Sequence, residues 1–317
     1  MQSKYLVSII LPVYNEEQGL VYFHNSLLEV LPSLHEHYDF ELIYVNDGSS
    51  DRSQELLESL EERGHKLMVV ALSRNFGHQA AISCGIDYCE GDAAITMDTD
   101  GQHPPESISD FIVRWEAGND IVFSLREDAD NTPFLKSWCS ALFYKVFNII
   151  SNQKIHPGAS DFRLISRKVI RIFQNDIRER NRFLRGLNSW VGFKSAVIEY
   201  KAVDRLEGES KYSNKKMLSL ASSGFVSFSH FPLKLGLYLG GFFFLISCSY
   251  LIGSLVYGYF NDTLVRGWTS LIVVIIMFSS IQFLFIGILG LYIRDILDEV
   301  KARPLYIVDE VSVSKEV

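Results

Sequence analysis

The chain reads as an α/β protein whose largely parallel sheet is followed by an interfacial helix and two membrane-spanning helices. Three observations predict this. Apolar runs alternate with amphipathic stretches over the first hundred residues, acidic residues gather just beyond those runs, and two long segments near the C-terminal end carry no charged side chain. Alternation of the first kind builds βαβ units, and a sheet of such units gathers its ligands beyond the carboxyl ends of its strands.

Taken in order, Val7 to Leu11 is the first strand, an unbroken apolar run that leads through "PVYNEE" into a helix near 16–35. Glu41 to Val45 is the second. It ends in "VNDGSSD", where Asp47, Gly48 and Ser49 make a turn and Ser50 or Asp51 caps a helix near 51–63. Leu67 to Leu72 is the third strand, with a helix near 77–90 after it. The fourth, Ala93 to Met97, runs into "MDTDGQHPPE". Asp98 and Asp100 stand two apart and so point roughly the same way. Carboxylates in that position either ligate a hard cation such as Mg²⁺ or Mn²⁺, which keeps open positions for substrate phosphates, or belong to a polar turn made with Gly101 and Pro104-Pro105. Acids on three strand ends favour a nucleotide with its cation. Neither G-x-x-x-x-G-K-[ST] nor a G-x-G-x-x-G after the first strand is present, which disfavours Walker-type nucleotidases and common Rossmann dehydrogenases. His78 and His103 lack zinc-ligand spacing and are left out of the metal site.

The second half of the chain changes character. Residues 213–232, "SNKKMLSLASSGFVSFSHFP", interleave Lys with spaced Met, Leu and Phe, a pattern that serves an interfacial helix or a core-facing one. Leu235 to Tyr257 and Gly267 to Ile293 are free of charge. Each exceeds the roughly 20 residues a helix needs to cross about 30 Å of hydrocarbon. Lys211, Lys215, Lys216 and Lys234 precede the first run and Arg294, Lys301 and Arg303 follow the second, whereas the connection holds Arg266 beside Asp262. Basic flanks stay in the cytoplasm, so both ends are expected there with a short turn outside. The expected organisation is a cytoplasmic domain over 1–212, an amphipathic interfacial helix over 213–232, a two-helix hairpin over 233–294 and a cytoplasmic tail over 295–317. "MQSKYLVSIILPVYNEE" has too short an apolar stretch for a secretory signal. Cys84, Cys89, Cys139 and Cys248 form no C-x-x-C pair and read as reduced thiols. A net charge of −8 argues against a nucleic-acid partner, while the basic clusters near the spans suit anionic lipid headgroups.

The stretches "SIILPVYNEE", "VNDGSSDRS", "LSRNFGHQAAISCG", "MDTDGQHPPE" and "SDFRLISR" occur in that order and are followed by the paired spans. In this the chain resembles the polyprenyl-phosphate glycosyltransferases of glycosyltransferase family 2, which include dolichol-phosphate mannose synthases and bacterial bactoprenol glucosyltransferases. The two-span layout is nearer the latter. The resemblance covers nearly the whole chain, with one departure at Gly101, where the family usually has Leu in D-x-D-L-Q. It implies a GT-A-type, Rossmann-like domain in a multi-pass plasma-membrane protein, assembled as a homotetramer. It further implies an inverting transfer of a hexose, foremost glucose from UDP-glucose, to undecaprenyl phosphate at the cytoplasmic face, with Mg²⁺ or Mn²⁺ as cofactor.

Position by position, the resemblance assigns Pro12, Tyr14, Glu16 and Asp47, with Asp98 beside them, to the nucleotide sugar, and Asp100 and Gln102 to the metal. Asp98, Asp100 and Asp161 make up the catalytic set. Arg126, Arg163, Arg205 and Lys211 are candidates to hold the acceptor phosphate, with Ser210 adding a hydroxyl. Asp161 either orients one of those arginines or steers the nucleophile; the plain alternative is a structural ion pair with Arg163. The rival functions are transfer of N-acetylglucosamine, galactose or mannose to the same lipid, a processive polysaccharide synthase, which would carry a Q-x-x-R-W motif absent here, and a non-catalytic membrane scaffold.

Overall fold

The computed structural model describes residues 4–127, 159–180, 182–201 and 267–314, together with four isolated helical positions at 238, 242, 245 and 249. The four expected strands are present as β1 (Tyr5–Val13), β2 (Tyr38–Asn46), β3 (Lys66–Leu72) and β4 (Ala93–Thr96). Between and after them come α1 (Leu20–Val30), α2 (Ser53–Glu58), α3 (His78–Tyr88) and α4 (Ser107–Glu116). These helices are shorter than the amphipathic stretches predict, because "YNEE" and "GSSD" are spent on turns rather than first helical turns. Beyond them lie β5 (Ile121–Glu127), β6 (Ala159–Ser166), α5 (Arg167–Asn175), α6 (Leu184–Trp190), β7 (Ser195–Lys201), α7 (Trp268–Val300) and β8 (Val308–Val313).

Among the described residues the strands form one eight-stranded sheet in the order β7-β5-β6-β4-β1-β2-β3-β8. The pairs β1–β2, β1–β4, β2–β3 and β5–β7 are parallel, whereas β4–β6, β5–β6 and β3–β8 are antiparallel. The expected largely parallel sheet is therefore mixed. Its βαβ part is the part whose periodicity was legible; β6 enters between β4 and β5 from far along the chain.

Both faces of the sheet are covered, which is why β1 reads as a continuous apolar run rather than an alternating one. Ile9 and Leu11 face one core with Leu27, Tyr44, Phe111 and Phe162, while Ile10 faces the other with Ile43, Val70, Ile82, Val169 and Phe173. Cys84 on α3 and Cys89 at its C-terminal end are buried free thiols, and burial pushes both up to about 12.

The C-terminal residues close the sheet instead of hanging from it. β8 pairs with β3 from Met68↔Val313 to Leu72↔Val308. The Tyr306 hydroxyl donates to Asp87 Oδ2 at 2.5 Å, and Ser73 N–H donates to the Ile307 carbonyl at 2.9 Å. The helix before this strand, α7, is 33 residues long, about 50 Å at 1.5 Å per residue, and leaves Leu271, Ile275, Ile286, Leu289 and Ile293 exposed. Counted on the described residues alone, no helix is long and apolar enough to cross a membrane. The first expected span and the interfacial stretch 213–232 lie outside the described residues, apart from the four isolated positions.

Candidate active site

The loops after β1 and β2 are stitched to each other. Asn15 takes a left-handed conformation, φ 55°, and its Oδ1 accepts from Ser50 N–H at 2.8 Å while its own N–H donates to Ser49 Oγ at 3.0 Å. Glu16 N–H donates to Ser53 Oγ at 2.9 Å. Polar residues that look like generic turn formers thus fix the edge on which Pro12, Tyr14 and Glu16 stand, with Tyr14 exposed and Glu16 half-buried. Pro12 is buried in β1, and its carbonyl accepts from Thr99 Oγ1 at 3.1 Å, which ties this edge to the end of β4.

Asp47 is buried, and its carboxylate is engaged by the next loop. Oδ1 accepts from Phe76 N–H at 2.7 Å, and Oδ2 accepts from Gly77 N–H at 2.9 Å and from Asn75 Nδ2 at 3.0 Å. Burial pushes its pKa up, and the two backbone donors oppose the rise. The geometry makes Asp47 the anchor of the loop that opens α3. Gly48 permits that closeness: at φ 63° a side chain is strained, and a Cβ would stand 2.4 Å from the Arg74 carbonyl carbon.

α3 then delivers His78 to the end of β4. His78 Nε2 lies 3.4 Å from Asp98 Oδ1 and 3.8 Å from Asp161 Oδ2. On the other side, His103 Nδ1 accepts from Asp98 N–H at 2.9 Å, so the neutral ring carries its hydrogen on Nε2, which lies 3.8 Å from Asp98 Oδ2. His103 is buried against Phe162, stacked with ring centroids 4.7 Å apart, and burial lowers its pKa. Both histidines therefore border Asp98, a neighbourhood that their spacing in the sequence does not reveal.

Asp100 and Gln102 follow in a turn whose Gly101 has φ 78°, a conformation that suits glycine better than the leucine of the related motif. Asp100 Oδ1 accepts from Gln102 N–H at 3.1 Å. Among the described residues there is no group of three or more His, Cys, Asp or Glu side chains that could hold a metal ion. The donors here are one carboxylate and one side-chain amide, both half-buried. That set fits Mg²⁺ or Mn²⁺, which take one or two protein oxygens and fill the remaining positions with water and substrate phosphate.

Asp161 and Arg163 sit two apart on β6, on the face covered by α3 and α6, and form the ion pair that the sequence left as one alternative. Arg185 of α6 grips the same carboxylate at two points, Nε to Oδ1 at 3.2 Å and Nη2 to Oδ2 at 2.8 Å. Gln79 Nε2 approaches Oδ2 at 3.4 Å, and Gln79 Oε1 accepts from Leu184 N–H at 3.1 Å. Burial alone would raise the pKa of Asp161, but Arg185 and then Arg163 hold its carboxyl well below the usual carboxylate range. Burial brings the Arg163 guanidinium down to about 10 against the opposing pull of Asp161. Arg163 Nη1 is buried with no hydrogen-bond partner among the described residues. Arg185 was not foreseen. Its one local signal is "RFLRG", two arginines flanking Phe183 and Leu184.

The backbone of Arg126 pairs with Tyr200 across β5 and β7. Its side chain, and Arg205, Ser210 and Lys211 entirely, lie outside the described residues.

A mixed α/β sheet with acids at the ends of β1, β2 and β4, beside a buried Asp161–Arg163 pair that half-buried Arg185 grips, has the layout of a GT-A-like domain. The sequence pattern described as glycosyl transferase family 2 matches residues 8–173, and the chain belongs to that family. It is similar to the uncharacterized glycosyltransferase YkcC of Bacillus subtilis, 42% identical over 309 residues, covering 96% of this chain and 93% of that one. It is also similar to the SfII prophage-derived bactoprenol glucosyl transferase of Shigella flexneri, 38% identical with 95% and 97% covered. The prophage bactoprenol glucosyl transferase homolog of Escherichia coli K12 is 36% identical, with 96% and 99% covered.

Proposed function

We propose that the enzyme transfers glucose from UDP-glucose to undecaprenyl phosphate at the cytoplasmic face of the membrane, with inversion at the anomeric carbon. The observation that carries this reading is the adjacency of two unlike halves. Acids and an amide suited to a nucleotide diphosphate with its cation stand at the ends of β1, β2 and β4, and beside them the buried Arg163 guanidinium has a nitrogen with no partner among the described residues. The bactoprenol in the names of the relatives supports a lipid acceptor.

In this reading an oxygen of the acceptor phosphate attacks the anomeric carbon. The new carbon–oxygen bond forms as the bond to the diphosphate breaks, and UDP leaves with the electron pair. A phosphate monoester has a second pKa near 6, so the nucleophile is largely ionised without a protein base. Asp161, held ionised by Arg185 and Arg163, is correspondingly a weak base, and its role is to orient Arg163. Asp100 and Gln102 would hold Mg²⁺ or Mn²⁺, which supplies charge stabilisation to the leaving diphosphate. Asp98, whose carboxylate lies 3.4 Å from His78 Nε2 and 3.8 Å from His103 Nε2, would meet the nucleotide sugar.

The membrane placement is supported by connectivity. A chain whose ends share one sheet crosses a membrane an even number of times between them, if it crosses at all. Residues up to Lys201 and from Val308 on share one here, which favours the two-helix hairpin over a single span. The exposed apolar side chains along α7 favour a lipid surrounding. A tetramer remains part of the proposal on the resemblance alone. The test is a screen of UDP-glucose, UDP-N-acetylglucosamine, UDP-galactose and GDP-mannose with purified full chain and undecaprenyl phosphate. Glucosyl lipid from UDP-glucose above the others is expected; lipid product from none of them overturns the reading.

A further inference from the structure

Arg185 has no role in the reading above beyond its contact with Asp161, yet that contact is the most demanding in the site. Two nitrogens of one guanidinium meet the two oxygens of one carboxylate at 3.2 and 2.8 Å, a planar fork that fixes the carboxylate's orientation as well as its charge. The same carboxylate receives Arg163 Nη2 on Oδ1. Among the described residues the Arg163 side chain is otherwise held by two long contacts, Nε to the Asp161 carbonyl at 3.4 Å and Nη2 to the Ser160 carbonyl at 3.3 Å. The position of Arg163 Nη1 thus depends on where Asp161 is held, and Asp161 is held mainly from α6.

α6 is itself located by the opening of α3. Leu184 N–H donates to Gln79 Oε1 at 3.1 Å, and Gln79 stands next to His78, which reaches Asp98. A continuous set of contacts therefore runs from Asp98 on the donor side through α3 and α6 to Arg163.

We propose that Arg185 is a positioning residue: its two-point grip on Asp161 sets the Asp161–Arg163 pair so that Arg163 Nη1 is presented to the phosphate of the lipid acceptor. The proposal rests on the reading of Arg163 as an acceptor-phosphate ligand. Arg185 touches neither substrate in this account and acts through its neighbour.

A double-mutant cycle separates acting through Arg163 from acting beside it. The full chain in detergent is titrated with undecaprenyl phosphate as wild type, Arg163→Ala, Arg185→Ala and the double variant. Arg163→Ala should weaken binding about 10- to 100-fold, the loss of one charge-assisted contact. Arg185→Ala should weaken it about tenfold, and the double variant should bind no more weakly than Arg163→Ala. Arg185→Lys, which keeps the charge without the fork, should fall between wild type and Arg185→Ala and guards against a folding defect in the alanine variant.

Losses that multiply in the double variant, or wild-type affinity in both Arg185 variants, would overturn the positioning role. Unchanged affinity in Arg163→Ala would overturn the ligand assignment beneath it, and no binding by wild type would overturn the proposed function.

Discussion

Removing the Asp47 carboxylate tests whether the site is built from the loop that opens α3. Asp47→Ala takes acceptors from Phe76 N–H at 2.7 Å, Gly77 N–H at 2.9 Å and the Asn75 amide at 3.0 Å. A buried donor left without a partner costs about 1–3 kcal/mol. Phe76 and Gly77 are half-buried and Asn75 is exposed, so water meets some of the loss, and burial already disfavours the charge that alanine removes. A net cost of about 2–3 kcal/mol follows. For a domain of roughly 200 residues, each kcal/mol moves the unfolding midpoint about 2–4 °C, so the variant should unfold about 5–10 °C lower. Asp47→Asn keeps one acceptor oxygen without the charge and should lose about half as much. Thermal unfolding of the purified full chain, read by tryptophan fluorescence, measures this, and UDP titration should show weakened donor binding in the alanine variant. An alanine variant that unfolds with wild type, or an asparagine variant as damaged as alanine, would refute the argument.

Asp100→Asn should abolish turnover at limiting Mg²⁺ or Mn²⁺ while the unfolding midpoint stays near wild type, because it removes a charged oxygen from a half-buried turn; full activity at limiting metal would count against the ligand assignment. Burial lowers the pKa of His24 and of His65, so the unfolded chain takes up protons more readily below pH 6.5 and these groups make stability fall as pH drops from there. The fall in unfolding midpoint between pH 7.5 and 5.5 should shrink in His24→Gln, and an unchanged fall would contradict this. A thiol-reactive label on a cysteine placed near Asp262 should react from outside intact cells, and one near the C-terminus should react from the cytosol; reaction of both from one side would remove the hairpin.

The legible part of the fold is the part where neighbours in sequence are neighbours in space. β1 to β4 appear as apolar runs, and their acid-bearing ends share an edge because each βα unit repeats the same geometry. Asp161 and Arg163 enter through the resemblance carried by "SDFRLISR"; the alternation that puts them on one face belongs to β6, a strand the sequence reading does not include. β8 was not legible either: "VDEVSV" is half polar, as an edge strand with one open face is, and its partner β3 lies more than 200 residues earlier. Arg185 escaped for a related reason. Its partner lies 24 residues away on another element, and nothing local marks an arginine in a short helix as the holder of a buried carboxylate. His78 and His103 lack metal-ligand spacing in the sequence, and their convergence on Asp98 depends on a strand end and a helix start meeting across the sheet edge.

The central claim is that one edge of the sheet handles the nucleotide sugar while Arg163 takes the lipid phosphate. Initial rates of label transfer from UDP-glucose to undecaprenyl phosphate, varied in each substrate for wild type and Arg163→Ala, test it most directly. The account predicts glucosyl lipid from wild type and, in the variant, an acceptor KM raised about 10- to 100-fold with the donor KM nearly unchanged. Label appearing as free glucose rather than lipid, or a variant that loses donor affinity while its acceptor KM stays at the wild-type value, would contradict it.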